Sequence, residues 1–514
     1  MTEDEIQDSQ DSSREKENDS AFVRDVGLAS IAPLIKKLRG VVLIPIITKW
    51  IGAEAFGVWK QFSVTSGFIA ILATVGTAQV IHRYLAPMER PERFSAHFFA
   101  IGTVIVGIAG ASAIGLTLAP QFFGDTIFGA DTSLTPLYLL ASYVPVLAFK
   151  NRLSTFIVAR RRFDIVVPLS VFLQLGSVFV LSTSILLHGG VTVVIVAFVF
   201  WEVIGGLVMF ELARRRVGLK IVWPDFSRLR NYLSFGLPLV LVTVGSRFAE
   251  FADRYVIVNL MGVKDVGIYS VAYAGGAIGV LFLKPFTQVL LPDFSVLVES
   301  GERQQMERRL SSVVKYFLAS QVGILVLIFF LGRPALVLVS TESFTKGLSV
   351  LKIIPIGIMA YGLLQLGTQV LNAEESTRLV GGIWIGVGAF NIIANLLAVP
   401  ALGLIGAGLA TVFSYAMGAA ACWGIVLRSY TIRIKVSTLL SVLLAMSTTG
   451  LGLFLCMPYV DLSPILILAI GGSLGSVLYL GGLVTSGFIS REEKNLLGRA
   501  LSPRVAKAID RFSL

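Results

Sequence analysis

From Ile31 almost to Ile489 the chain is a succession of apolar runs, each about twenty residues long, broken by short polar or basic stretches. A run of that length crosses the hydrocarbon of a bilayer as one α-helix, in which each backbone N–H and C=O finds a partner inside the segment itself. Charged residues make up 15% of the 514 and hydrophobic ones 55%, with a mean hydropathy of +0.80. A soluble domain carries about 25% charged residues, and a chain this apolar has no polar surface left to turn to water. Soluble enzymes and DNA-binding modules are excluded. The expected fold is an all-α polytopic membrane protein with about fourteen transmembrane helices.

Reading the runs against Gly, Pro and charge breaks places span cores at 26–50, 58–80, 97–118, 134–158, 165–187, 191–212, 232–260, 266–294, 313–331, 350–371, 379–399, 404–427, 436–456 and 465–487. Nineteen Lys and Arg fall in the even-numbered connections, among them Arg160 to Arg162, Arg214 to Arg216 and Lys220; the odd-numbered ones hold five, namely Lys49, Lys60, Lys264, Arg333 and Lys346. Basic loops are retained in the cytoplasm, so both termini are expected there and the protein in the cell membrane; an odd number of spans would scramble the alternation. Because these cations sit beside apolar spans, orientation and anionic headgroups account for them, and no nucleic acid partner is expected.

The first twenty residues hold eight acidic and two basic side chains, so residues 1–21 are expected to form a disordered cytoplasmic tail. That tail lacks the basic n-region of a cleavable signal, and the first span is expected to stay in the mature protein. In residues 489–514, Val505, Ile509 and Phe512 share one helical face and Arg504, Lys507 and Arg511 another, the pattern of a helix lying on the inner membrane surface.

Residues 51 to 59, Ile-Gly-Ala-Glu-Ala-Phe-Gly-Val-Trp, match 261 to 269, Met-Gly-Val-Lys-Asp-Val-Gly-Ile-Tyr, at a constant offset of 210. The offset contains six spans, an even number, so the copies share an orientation and are expected to be related by an axis along the membrane normal. This gives an N-lobe over 22–213, a basic cytoplasmic linker over 214–230, a C-lobe over 231–430 and two extra spans over 431–488.

Cys422 and Cys456 each lie inside an apolar run and read as packing residues, and His82, His97 and His188 are scattered singly, so neither a metal centre nor a cofactor is expected. The chain has no Gly-x-x-x-x-Gly-Lys-Ser/Thr loop, which makes a membrane potential or ion gradient the default energy source. The Gly403 to Gly408 stretch opens an apolar span with no preceding strand and reads as close helix packing.

Charge at membrane depth is the informative feature, because each such side chain costs about 2.5–3.5 kcal/mol at the bilayer centre and must face the interior of the bundle or a wet cavity. The first span carries Lys36, Lys37 and Arg39 with no acidic residue between Asp25 and Glu54. The seventh carries Arg247, Glu250, Asp253 and Arg254, where Arg247 with Glu250 and Glu250 with Arg254 have the spacing to pair along one face. Glu202 lies near the middle of the sixth span, and Lys284, followed by Pro285, near that of the eighth, where the proline is expected to kink the helix. Two readings follow. Either the cations bridge Glu202, Glu250 and Asp253 and hold the lobes together, or the surplus holds an anion, with Arg39 supplying the planar fork that suits phosphate. Lys150, Arg152 and Lys315 are expected to snorkel to the inner interface and carry no site. The last two spans are uncharged and are expected to face lipid or an apolar groove.

Ile51 to Trp59, then Phe235-Gly236-Leu237-Pro238, Asp253-Arg254-Tyr255 and Val266 to Ser270 resemble the polysaccharide-transporter flippases of the multidrug/oligosaccharidyl-lipid/polysaccharide exporter superfamily, over about Phe22 to Phe488. The resemblance implies two six-helix lobes around a central cavity that move a polyprenyl-linked oligosaccharide across the bilayer by alternating access while its lipid tail stays in the membrane. It implies that cavity cations engage the lipid phosphate or pyrophosphate, with Arg39 the best match and Lys36, Lys37, Arg247 and Lys284 further substrate-binding candidates. Glu202, Glu250 and Asp253 are the acidic candidates for ion coupling, and the uncharged last two spans look like a lipid-tail groove. The implied partners are membrane lipid, the lipid-linked glycan, and glycosyltransferases with an oligosaccharyltransferase or polymerase of the same pathway. The acidic tail resembles that of halophilic archaeal proteins, which points to dolichyl phosphate and protein glycosylation; an undecaprenyl pyrophosphate carrier fits equally.

Two other functions compete. Ion-coupled multidrug efflux on the same architecture would rest on the acidic residues rather than the cations. A membrane glycosyltransferase or polymerase would need acidic residues on a large outer loop, but the outer connections are short and Asp125 and Asp131 read as turn residues.

Overall fold

The computed structural model describes residues 39–40, 42–74, 76–187, 189–456 and 462–488, and among these there is no β-strand. The acidic tail, Lys36, Lys37, His188 and the C-terminal amphipathic stretch lie outside the described residues.

The chain divides into two compact units, Met1–Leu241 and Val242–Leu514. The first contains α1 (42–50), α2 (Gly52–Thr74), a short α3 (Thr77–Val80), α4 (Pro91–Leu118), α5 (Pro120–Phe128), α6 (Thr135–Ala159), α7 (Phe163–Leu186) and α8 (Val191–Leu212). The unit boundary falls within α9 (Leu229–Met261). The second unit continues with α10 (Val263–Gly276), α11 (Val280–Glu299), α12 (Arg303–Val339), α13 (Leu348–Ala373), α14 (Thr377–Leu402), α15 (Leu404–Ser429), α16 (Val436–Cys456) and α17 (Pro464–Thr485).

Eleven helical stretches among the described residues are long and apolar enough to cross a bilayer. The other three expected crossings are α1, described only from Arg39, α6 with Lys150 and Arg152, and α9 with Arg247, Glu250, Asp253 and Arg254. Polar and charged side chains lower the hydropathy of α6 and α9, so those that test poorly as lipid-facing segments are those with charge to hide.

Both units are built on one packing order. In the first, α6 packs on α2, α4 and α8, and α8 on α7; in the second, α13 packs on α10, α12 and α15, and α15 on α14. The repeated turn has the same backbone in each copy: Gly52 and Gly262 have φ of +83° and +95°, following the hydrogen bond from Ile51 N–H to the Ile47 carbonyl in one copy and closing that from Gly262 N–H to Val258 in the other. A further mark of the repeat is Pro145 inside α6 and Pro355 inside α13, also 210 residues apart.

The basic stretch expected to link the lobes lies on the first unit. Lys220 N–H donates to Ser95 Oγ at 3.0 Å, Asp225 N–H to the Ala96 carbonyl at 3.1 Å, and Leu219 is buried. Hydrogen bonds from Ser227 hold the Asp225 carboxyl below the ordinary carboxylate range. α16 and α17 pack on each other and on α12, where the Tyr479 hydroxyl donates to the Ala319 carbonyl at 2.6 Å. The rest of their surface, including Leu443, Leu451 and Val477, is exposed.

Three local expectations need correction. The eighth span is interrupted at the tight turn Ala277–Gly279, ahead of Lys284, and the helix then runs on through residue 285 to Glu299. Cys422 is buried as expected, whereas Cys456 is exposed at the end of α16. Arg152 does not snorkel: it is buried, its guanidinium 3.9 Å from the centre of the Phe98 ring, over Gly102 of α4. The missing side chain at Gly102 makes room, and the ring face attracts the cation that hydrogen bonds do not satisfy.

Gly262 sits at φ +95° and ψ 167°, a region that side chains avoid at a cost of about 1–3 kcal/mol. Gly262→Ala is expected to lower the melting temperature in detergent, and Gly52→Ala to do the same. Gly110→Ala, in open space on α4, should leave it unchanged or raise it. Equal effects at all three positions would refute this account of the turns.

Candidate anion site and buried ion pairs

In the first unit, α6 brings Tyr143 and Lys150 to the same side, two turns apart, against Glu202 of α8. Lys150 Nζ forms a short ion pair with Glu202 Oε2, and the Tyr143 hydroxyl donates to the same oxygen at 3.3 Å. Side-chain exposure is 15% for Lys150 and 6% for Glu202, so the pair is removed from both lipid and water. Lys150 was expected at the interface; the packing of α6 on α8 draws it inward, because an unpaired Glu202 at that depth would cost more than Lys150 gains by snorkelling. Tyr143 also stacks on Phe62 and meets Phe198 edge-on, which walls the pair with rings.

Arg39 joins this cluster. Glu202 is the carboxylate that acts on it through space. Its one hydrogen bond among the described residues is long, from Nη1 to Ser177 Oγ of α7 at 3.4 Å, and its buried Nε has no partner. With Glu202 already shared by Lys150 and Tyr143, Arg39, Lys150 and Glu202 leave one positive charge over among the described residues, on a guanidinium whose Nε has no partner among them.

The charges of α9 in the second unit close on one another. Arg247 Nη1 meets Glu250 Oε2 at 2.6 Å, both half-exposed, the i,i+3 pair expected from the sequence. Arg254 does not pair with the Glu250 carboxylate. Its Nη1 meets Asp253 Oδ1 at 2.8 Å and donates to the Glu250 backbone carbonyl at 2.9 Å, while the Tyr269 hydroxyl donates to the other oxygen of Asp253 at 2.5 Å. Asp253 and Arg254 are 1% and 2% exposed, and Tyr273 covers the guanidinium. Lys284 is exposed and has no ion pair among the described residues. On the neighbouring helices, buried Asn391, Asn395 and Ser414 bond to one another, and Gln365 donates to Tyr361. α9 and α14 touch backbone to backbone at Gly245 and Gly388, which seats α9 deeply in its unit.

Of the sequence candidates, then, the structure groups Arg39 with Glu202 in the first unit and Arg247 with Glu250 in the second, gives Asp253 to Arg254 and Tyr269, and leaves Lys284 apart. Sequence reasoning missed Tyr143, Ser177 and Tyr269 and dismissed Lys150. A signal was available for Lys150, since Glu202 is the only carboxylate well inside the first six spans and needs a cation.

Removing Lys150 strands Glu202. Lys150→Met is expected to destabilise the protein by about 3–5 kcal/mol, read as a lower melting temperature, and Lys150→Met with Glu202→Leu to recover most of that loss. A double variant no better than the single one would mean that the pair is not the unit of stability.

Residues 22–298 match the family described as polysaccharide biosynthesis protein. Two archaeal relatives are similar in sequence. A probable low-salt glycan biosynthesis flippase, Agl15, of Haloferax volcanii is 19% identical over 400 residues, 76% of this chain and 82% of that protein. An uncharacterized membrane protein of Methanocaldococcus jannaschii is 25% identical over 211 residues, 38% of this chain, and the match spans only 41% of that relative's length. Among solved structures, the lipid II flippase MurJ in an inward closed conformation aligns with a TM-score of 0.72 at 16% identity, over 90% of this chain and 98% of that one. An inward-facing multidrug resistance transporter of the MATE family aligns at 0.62 and 15% identity, over 78% and 97%. At these identities the structural likeness establishes the fold alone.

Proposed function

The chain belongs to the polysaccharide biosynthesis protein family, and on that premise we propose that it is a flippase that carries a polyprenyl-phosphate- or pyrophosphate-linked oligosaccharide from the cytoplasmic to the outer leaflet by alternating access. The similarity to Agl15, named as a probable glycan biosynthesis flippase, supports this substrate class, and the transporter fold supports the mechanism. Relatives of this kind are transporters, not enzymes.

The observation that carries the reading is Arg39, the cation left over when Lys150 takes Glu202. A half-buried guanidinium whose Nε has no partner among the described residues is a site for a planar oxyanion, and the phosphate next to the prenyl chain is the group of the substrate that must travel at that depth. Lys36 and Lys37, one turn or less away in sequence, add positive charge to the same stretch. Arg247 and Lys284 remain further cations for the substrate, and Glu202, Glu250 and Asp253 the acidic groups for ion coupling. The distribution of Lys and Arg supports a cytoplasmic location for both termini. The efflux reading has less support, because Glu202, Glu250 and Asp253 are each engaged by a cation in this conformation.

Arg39→Ala should reduce glycan export by about 10- to 100-fold at normal protein level, the worth of one or two hydrogen bonds to a charged group, with lipid-linked glycan accumulating on the inner leaflet. Arg39→Lys should retain part of the transport, keeping the charge and losing the fork. Unchanged export in Arg39→Ala would remove the site.

A further inference from the structure

Residues 218–226 run as an extended strip along one end of the first unit. Their backbone is tied to Ser95 and Ala96, and His97 of α4 meets the Asp225 carbonyl through Nδ1 at 3.2 Å, with the Asp225 carboxylate 3.7 Å from Nε2. This contact fixes the depth of the strip, because the apolar run of α4 begins at the same residues, 95 to 98. The strip therefore lies at the water–hydrocarbon boundary. While Leu219 turns into the bundle, Ile221, Trp223 and Phe226 turn out, 71%, 92% and 49% exposed. Trp223 is the most exposed large apolar side chain among the described residues.

The surroundings of that apolar trio are basic. Arg214, Arg215, Arg216 and Lys220 are exposed beside it, and Arg162 donates through Nη1 to the Arg216 carbonyl at 2.7 Å, which brings the two basic connections of this end together. Glu211 balances only part of this, through Arg214 and Arg215. An aromatic and aliphatic tip at headgroup depth, ringed by Lys and Arg, is complementary to a layer of phosphate headgroups above acyl chains.

We propose that 219–228 is an interfacial anchor, inserting Ile221, Trp223 and Phe226 among the headgroups of an anionic leaflet and fixing this end of the first unit at that depth. The segment is then held by the membrane as well as by α4, within the first unit. The membrane, rather than a protein partner, is the occupant: the trio is small and linear, and the exposed charge around it is predominantly basic, with Arg216 and Lys220 beyond the reach of Glu211.

The test uses the full chain in nanodiscs of phosphatidylglycerol and phosphatidylcholine, with bromine carried on one lipid or the other at equal mole fraction. The Trp223 contribution to fluorescence is the difference between wild type and Trp223→Phe. Both brominated lipids should quench it, phosphatidylglycerol by about fivefold more, the enrichment produced by one cation's worth of surface attraction, about 1 kcal/mol. Replacing Arg214, Arg215 and Lys220 by Gln should equalise the two. Quenching by aqueous iodide but by neither lipid would put the segment in water and overturn the anchor. Protection from iodide and from both lipids would mean that protein covers it, and would overturn it equally. Equal quenching by both lipids in the wild type would overturn the anionic preference.

Discussion

Charge has no place to go in hydrocarbon except inside the protein, and the architecture depends on that constraint. Lys150 with Glu202, and Asp253 with Arg254 and Tyr269, are satisfied at depths where an isolated ion would be expelled. Each cluster requires particular helices to touch: α6 must meet α8, and α9 must lie against α10. The pairs are thus constraints on packing, and their value lies in specificity as much as in stability, since a buried pair often gains little over an apolar one of the same shape.

Against this background Arg39 is an exception. Its neighbours consume Glu202, and the remaining hydroxyl of Ser177 is a weak acceptor at long range. Lys150 and Glu202 pair in the same unit, whereas Arg39 keeps a buried Nε without a partner among the described residues, and the proposed phosphate site rests on that difference. Arg152 shows the contrasting solution: buried without hydrogen bonds for its terminal nitrogens, it is held on the face of Phe98 and leaves no room for a ligand above Gly102.

The duplication shows how one scaffold came to carry two electrostatic characters. Both units share the glycine turn, the proline within the third long helix of the motif, and the order of helix contacts. Helix lengths and turn backbones are set by features that a repeat inherits whole. Charges are set by single substitutions, and they have diverged: the described cluster of the first unit is left positive by Arg39, and that of the second is neutral.

The sequence by itself determined the class of fold, the spans and the duplication, because hydrocarbon thickness, backbone hydrogen bonding and the left-handed turn at Gly52 and Gly262 are local demands that each segment meets alone. It also marked Arg39, Glu202 and the charges of α9 as unusual, since depth can be read from a hydropathy run, and it supplied the Arg247 and Glu250 pair from helical spacing. Tertiary structure alone decided which charge meets which. Lys150 looks like an interfacial lysine until α6 is laid on α8, Arg254 turns from Glu250 to Asp253 because Tyr269 completes that carboxylate, and Arg39 becomes the surplus cation only after Lys150 has been counted. Partners as far apart as 52 residues for Lys150 with Glu202 and 138 for Arg39 with Ser177 are chosen by helix packing, and no run of residues read singly carries that information.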